Sequence, residues 1–169
     1  MPENTPNHDK NSHCSYCGQS FPANLPWPRL CKNCGNKSYV NPLPVSVVLV
    51  PVDNGLLLVR RSIPPRAGSL ALPGGFINVS ESWQEAGARE VWEETGIRVA
   101  PETVRLYDVR SAPDGTVLIF GITDRLNGVD LPPFAANDEV SETVIATTAM
   151  ELAFPLHTQV AARFWNEFG

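Results

Sequence analysis

Apolar positions are sorted along this chain into short runs with two different periods. Val45 to Val52 is apolar except at Ser46 and Pro51, and it is rich in β-branched residues. That is the pattern of a buried strand. Asp53-Asn54-Gly55 reads as a tight turn, and Leu56 to Arg60 returns as a second strand to make a hairpin. A loop at Ile63 to Gly68 leads to a short apolar stretch, Leu70 to Leu72. Two further strands, Leu106 to Arg110 and Thr116 to Ile122, flank a turn at Pro113-Asp114-Gly115, and Glu142 to Thr147 is another. Helical spacing appears twice. Between Ser80 or Ser82 and Gly96, the residues Ala88, Val91, Trp92 and Thr95 gather on one side and are expected to pack on a sheet. Glu90, Glu93 and Glu94 fall on the opposite side, with Ala86 and Gly87 one turn earlier. Leu156 to Phe168 carries the stripe Val160, Ala161, Phe164, Trp165 and Phe168, a core-facing pattern. Mixed strands with two helices predict an α/β fold, an α/β/α sandwich around a mixed sheet.

The first of these helices holds the chemistry. Positions i, i+3 and i+4 share a helix face, so the three carboxylates repel one another unless a cation sits among them. A hard divalent ion with oxygen ligands suits such a cluster, and its usual co-ligands are substrate phosphates. A solvated acidic face is what three acids alone would imply. The surrounding residues change the balance. Gly75, Glu81, Arg89, Glu90, Val91, Glu93, Glu94, Gly96 and Ile97 fit every fixed position of the pattern G-x5-E-x7-R-E-U-x-E-E-x-G-U, with U aliphatic. This stretch resembles the Nudix box. The resemblance implies that Glu90 and Glu94 bind Mg²⁺ or Mn²⁺ directly, that Glu93 joins directly or through water, and that the Gly75 carbonyl completes the shell. It further implies that Arg89 orients Glu90, while Glu81 and Gly96 hold the geometry of the motif. Family members often draw another base from a late loop. Here Glu139 is the favoured residue and Glu142 the second, and a solvated acidic loop weighs equally with either. Arg61 and Arg66 are placed to meet phosphates, although surface arginines are commoner than phosphate-binding ones. Phe76 faces either the pocket or the core. Gly87 in mid-helix costs about 1 kcal/mol against alanine. Close approach of substrate or of another backbone would account for it, as would a tolerated weak spot.

The four cysteines form two C-x-x-C-G units, Cys14/Cys17 and Cys31/Cys34, separated by 13 residues. This resembles a zinc ribbon with a closed, structural four-thiolate site; disulfides or free thiols are the other readings. The segment has few large apolar side chains, so a metal would supply folding energy that burial does not. His8 and His13 lie nearby, and His13 is expected to be a bystander. Residues 1–10 are polar and proline-punctuated and are expected to be disordered. The chain therefore divides into 1–10, a ribbon at 11–40 and a Nudix domain at 41–169.

Composition narrows the partners. The 169 residues are 43% hydrophobic and 18% charged, enough for one core plus an appendage. Net charge is -5, distributed as +2 over the first 45 residues and -7 over the rest. That argues against a general nucleic-acid or membrane surface. No signal peptide or membrane-length apolar run is visible, so a cytoplasmic location is expected. A ribbon followed directly by this box is similar to NADH pyrophosphatases, but their S-Q-P-W-P-F-P run is replaced here by Val109-Arg110-Ser111-Ala112-Pro113-Asp114-Gly115. The chain resembles more the ribbon-bearing relatives of plant FAD and ADP-ribose pyrophosphatases. Pro113 matches a proline of the latter, while Leu70 stands where many relatives have tryptophan. The resemblance implies a nucleotide-type substrate, either ADP-ribose or an FAD-like dinucleotide, and often a homodimer. The alternatives are a house-cleaning nucleoside triphosphate pyrophosphatase of the MutT type, and a non-catalytic sensor of ADP-ribose-like ligands whose ribbon binds nucleic acid.

Overall fold

The computed structural model describes residues 10–168. The expected disorder of the first ten residues falls almost wholly outside that range. The chain separates into two compact units, residues 1–42 and 43–169. No helix among the described residues is long and apolar enough to cross a membrane.

In the first unit, β1 (Arg29–Leu30) and β2 (Lys37–Ser38) pair antiparallel. Each C-x-x-C-G unit makes a tight turn. Gly18 N–H donates to the Cys14 carbonyl at 3.0 Å and Gly35 N–H to that of Cys31 at 2.9 Å. Both glycines adopt positive φ, 73° and 72°, which they reach without Cβ strain.

The second unit contains two four-stranded sheets. One is mixed, in the order β7 (Gly74–Phe76), β3 (Leu43–Leu49), β9 (Thr116–Ile122), β8 (Arg105–Ser111), with β3 and β9 parallel. In the other, β5 (Gly55–Arg61) lies between β10 (Val140–Ala146) and β4 (Pro51–Val52), and also pairs with β6 (Leu70–Ala71). The expected single strand from Val45 to Val52 is two strands in different sheets. Pro51 has no N–H to donate and cannot continue a central ladder. The chain leaves the first sheet there, and the hairpin around Asp53-Asn54 is built by β4 and β5.

Alternation along the strands assigns the two faces. Val47, Leu49, Leu56 and Leu58 join Phe120 and the helix α2 (Pro155–Phe168) through Val160, Ala161 and Phe164. Val48, Val50, Val52 and Leu57 join Val91 of the helix α1 (Trp83–Thr95), with Ile97 and Val104. Helices thus cover both faces, which is why these strands read as nearly continuous apolar runs. The α2 stripe holds at Val160, Ala161 and Phe164. Phe168, in the last turn, is exposed.

The helix α1 keeps its expected ends and differs from expectation in its buried face. Its N-cap is Ser82, in a capping box: Ser82 Oγ accepts from Glu85 N–H at 3.2 Å, and the Glu85 carboxylate accepts from Ser82 N–H at 2.7 Å. Ser80 sits at φ 75° and cannot cap it. Gly96 closes the helix at φ 76°, its N–H donating to Trp92 O at 2.8 Å. The buried face is rotated by about a sixth of a turn, at 100° per residue, away from Trp92 and toward Glu94. Ala86, Gly87, Ala88, Val91, Glu94 and Thr95 face inward, so the expected Ala88, Val91 and Thr95 hold, while Trp92 is 43% exposed beneath the guanidinium of Arg98. Gly87 explains the rotation. A Cβ there would lie 2.8 Å from both Ser46 Oγ and Val48 Cγ2, so only glycine lets α1 rest on β3. Ser46 Oγ fixes the contact by donating to Trp83 O at 2.8 Å. The neighbour at Gly87 is therefore a strand of this chain.

Candidate functional site

The rotation of α1 sets two of its carboxylates into the protein. Glu94 is only 6% exposed and accepts a hydrogen bond from Gly74 N–H at 3.0 Å. Burial pushes its pKa up to about 8, against the pull of that amide. Glu90 is partly buried one turn earlier, and burial raises its pKa too, with Glu93 and Glu139 adding repulsion. A Cβ on Gly75 would stand 2.4 Å from Glu90 Oε1. The missing Cβ lets this carboxylate lie directly against β7, and Gly75, Glu90 and Glu94 line one place.

Arg89 organises the rest. It grips Glu81 with two parallel bonds, Nε to Oε1 at 2.7 Å and Nη2 to Oε2 at 2.9 Å. Its Nη1 donates to Glu90 Oε1 at 2.7 Å and Glu93 Oε2 at 3.0 Å, and Nη2 to the Phe76 carbonyl at 3.0 Å. A planar fork can satisfy this many acceptors at once, where lysine could not. Glu81 also accepts from Asn78 N–H at 2.9 Å, and Arg89 first, then that amide, hold its carboxyl down to about 2. Glu81 thus ties the loop before α1 to Arg89. Glu90 and Glu93 are oriented by the same cation, while Glu94 lies beyond its bonds.

Gly75, Arg89, Glu90, Glu93 and Glu94 line one cavity of about 1630 Å³, to which Glu81 does not contribute lining. Glu139 lines it as well, and its charge raises the pKa of both Glu90 and Glu94. Glu142 is placed elsewhere. It lies within β10 and pairs with Arg60 at 2.6 Å. Arg61 faces the cavity, its Nε donating to Pro65 O at 3.0 Å and its guanidinium 5.2 Å from the Phe154 ring centre. Arg66 lines a separate hollow of about 810 Å³. Phe76 is 57% exposed at the cavity rim, so of the two expected placements it takes the pocket. Pro113 lines the cavity too.

Two lining residues were missed from sequence. Asn137 folds the late loop: its Oδ1 accepts from Glu139 N–H at 2.9 Å and Val140 N–H at 2.8 Å, and its Nδ2 donates to the Glu93 carbonyl at 2.9 Å. An asparagine beside two acids is a visible turn signal. His157 is buried in the first turn of α2, where the apolar stripe drew attention away from it.

In the other unit, all four cysteine sulfurs lie within 4.8 Å of one another. Cys14 and Cys34 are 3.7 Å apart, and Cys17 and Cys31 are 3.6 Å apart. A disulfide would bring sulfurs to about 2.0 Å. A tetrahedral thiolate shell at about 2.3 Å from an ion spaces them by about 3.8 Å. The spacing fits such an ion. Asn33 and Asn36 side chains donate to Cys17 and Cys34 at 3.6 and 3.5 Å, and the Tyr16 backbone amide leads the bonds that pull the Cys14 thiol down to about 6. His13 is absent from the sulfur cluster and bridges to Ser20.

Comparisons with known proteins agree with this geometry. The model of the NUDIX domain matches residues 41–166. The NAD-capped RNA hydrolase NudC of Shigella flexneri is 36% identical over 90 residues, 53% of this chain and 35% of that protein. The chain thus spans about a third of the length of the curated relatives it matches. A NUDIX hydrolase structure from Nitrosomonas europaea superposes with a TM-score of 0.73 at 28% identity, covering 92% of this chain and 91% of that one. A bifunctional NMN adenylyltransferase/ADP ribose pyrophosphatase from Francisella tularensis gives 0.63 at 26% identity, covering 77% and 42%. With a NUDIX model matched across 41–166 and Arg89, Glu90, Glu93 and Glu94 of the box gathered at one cavity, the chain belongs to the NUDIX family.

Proposed function

We propose that this protein is a divalent-metal-dependent hydrolase that cleaves the diphosphate bond of a nucleoside diphosphate derivative, ADP-ribose or an FAD-like dinucleotide, releasing a nucleoside monophosphate. The observation that carries this is the meeting of Glu90, Glu94 and the Gly75 backbone at the wall of the 1630 Å³ cavity. Two half-buried or buried carboxylates with raised pKa values are a donor set that a hard cation would relieve. Glu90, Glu94 and the Gly75 carbonyl would hold Mg²⁺ or Mn²⁺, with Glu93 joining directly or through water. Such an ion neutralises phosphoryl charge and lowers the pKa of its water.

The remaining work belongs to the chain. Arg89 fixes the direction of the Glu90 and Glu93 carboxylates through one Nη1 bond to each. Glu139, on a loop held by Asn137, serves as the base that accepts a proton from the attacking water. Arg61 is anchored by loop carbonyls, and among the described residues it has no carboxylate within ion-pair distance; it meets phosphoryl oxygens. The cavity has room for a dinucleotide-sized ligand, FAD included, which is compatible with this substrate class. The ADP ribose pyrophosphatase activity named for the Francisella protein supports the same choice. In the ribbon at residues 11–40, Cys14, Cys17, Cys31 and Cys34 would hold a structural Zn²⁺. The reading places the protein in the cytoplasm.

The test is Mg²⁺-dependent turnover of ADP-ribose, FAD, NADH, diadenosine polyphosphates and nucleoside triphosphates. Turnover concentrated on ADP-ribose or FAD, and abolished by EDTA and by Glu90→Gln, is expected. Turnover of triphosphates alone would overturn the substrate class, and ligand binding without turnover would move the protein to the sensors.

A further inference from the structure

The wall of the cavity away from the carboxylates carries a group that the hydrolytic reading leaves unused. His157 is 6% exposed and lines the cavity. Leu72 N–H lies 3.3 Å from its Nδ1. A backbone amide can only donate, so Nδ1 is the acceptor and the ring proton sits on Nε2. Nε2 has no bond of its own in the structure. No buried side-chain nitrogen or oxygen among the described residues lacks a partner, so Nε2 is not sealed from solvent, and the cavity is the opening that His157 lines. The ring is held in place. Phe120 and Phe154 pack against it with centres 5.7 and 5.1 Å away. Phe154 also receives the Arg61 guanidinium. One aromatic ring therefore carries a fixed cation and a fixed N–H donor, both at the cavity wall.

We propose that His157 Nε2–H donates a hydrogen bond to a phosphoryl oxygen of the substrate, forming with Arg61 and Phe154 a subsite that determines specificity. This rests on the hydrolytic reading above and deepens it. The charges around the cavity select the acceptor. Two arginines line it, and Arg89 is fully engaged by Glu81, Glu90, Glu93 and the Phe76 carbonyl. Arg61 is the lining cation left to receive an anionic oxygen, so the acceptor that approaches Phe154 is phosphoryl. His157 adds directionality to that attraction without adding charge. Its charge state agrees: burial first, then Arg61, pushes the ring pKa down to about 3, so it stays a neutral donor through the physiological range. His157 is a binding residue in this scheme and moves no proton.

Imidazole nitrogen NMR on the full chain in EDTA, where turnover stops, tests this directly. The probes are ADP-ribose, AMP and ribose 5-phosphate, with adenosine and ribose as phosphate-free controls. His157 should show a protonated Nε2 and a bare Nδ1 between pH 5 and 8, and its Nε2–H signal should move with the three phosphate-bearing probes alone. A proton on Nδ1, a ring that titrates near pH 6.5, or a response to adenosine or ribose would overturn the assignment. If backbone signals around the cavity respond to ADP-ribose while His157 does not, the subsite fails and the hydrolytic reading stands. If no probe moves any signal, the metal-independent subsite fails, and turnover in Mg²⁺ decides the hydrolytic reading by itself. His157→Asn separates binding from packing, because its amide oxygen can still accept from Leu72 N–H. KM for ADP-ribose should rise about tenfold with kcat nearly unchanged, the mark of a lost uniform interaction. An unchanged KM in a folded variant would reduce His157 to a packing residue. Should the variant fail to fold, the spectra of the unaltered protein decide.

Discussion

Arg89 is the residue on which most of the site's order converges, since five of its hydrogen bonds reach Glu81, Glu90, Glu93 and the Phe76 carbonyl. Arg89→Lys keeps the charge and loses the fork. Groups that orient metal ligands typically govern affinity by 10–100-fold, so the Mg²⁺ concentration for half-maximal turnover should rise by about that factor. An unchanged Mg²⁺ dependence would show that Glu90 needs no such partner. Glu94 makes a different prediction, about stability in metal-free protein. Its folded pKa of about 8 lies above the ordinary value of 4.5, so between these the native state holds more protons than the unfolded one. Its contribution is present at low pH and is lost as pH rises to 8. His157 has the opposite sign: its pKa is depressed to about 3, so its slope lies between pH 3 and 6.5. The window from pH 6.5 to 8 separates the two, and following the unfolding of residues 43–169 alone leaves out the lowered Cys14 thiol of the other unit, which acts with the opposite sign. In EDTA, the urea midpoint should fall across that window, and Glu94→Gln should flatten the fall. A midpoint that rises with pH in the unaltered protein would contradict the burial argument.

The elements show which parts of the architecture could be read in advance. The period-2 and 3.6-residue patterns placed both helices, β5, β8, β9, β10 and most of β3, but not the short β1, β2, β6 and β7, whose two or three residues carry no period. The box spacing located Glu90, Glu93, Glu94 and Arg89 on one helix. The rotation of α1 was not legible. Counting apolar residues puts Trp92 inward, whereas backbone proximity at Gly87 sets the contact and turns Glu94 inward instead. The break at Pro51 was visible as a residue but not as a change of sheet, since strand pairing is a long-range choice. His157 could not be found because one histidine in an apolar helix carries no periodic signal. Asn137 showed only a turn, and its hold on Glu139 depends on the distant Glu93 carbonyl. Two substitutions test the element-scale account. Gly87→Ala should destabilise the fold by about 1–3 kcal/mol from overpacking, although alanine is the better helix former by about 1 kcal/mol. A stabilised variant would mean that Ser46 and Val48 yield freely. Ser82→Ala should cost about 1 kcal/mol by removing the cap, read from the same denaturant curves.

At the scale of the molecule the two units rest on different forces. Residues 43–169 have layered apolar clusters on both sheet faces, while the unit before them relies on a sulfur cluster and a two-residue ladder. Removing a structural metal should therefore unfold one unit and spare the other. After treatment with a strong zinc chelator, proteolytic cleavage should concentrate between residues 10 and 42, with the thermal transition of the larger unit retained. Resistance of the cysteine turns to the chelator would argue against a metal there.

The parallel pairing of β3 with β9 joins positions 73 residues apart at every rung, from Leu43 with Thr116 to Leu49 with Ile122. Gly75, the whole of α1 and its carboxylates lie in the stretch between those strands. A ribosome must therefore release the residues past 122 before the sheet beneath the acidic helix can close. Pairings of such separation form slowly, because loop entropy is lost before any contact offsets it. Until then the nascent helix has neither β9 beside β3 nor the late loop carrying Glu139, so catalytic competence should arrive only after residue 139 has emerged.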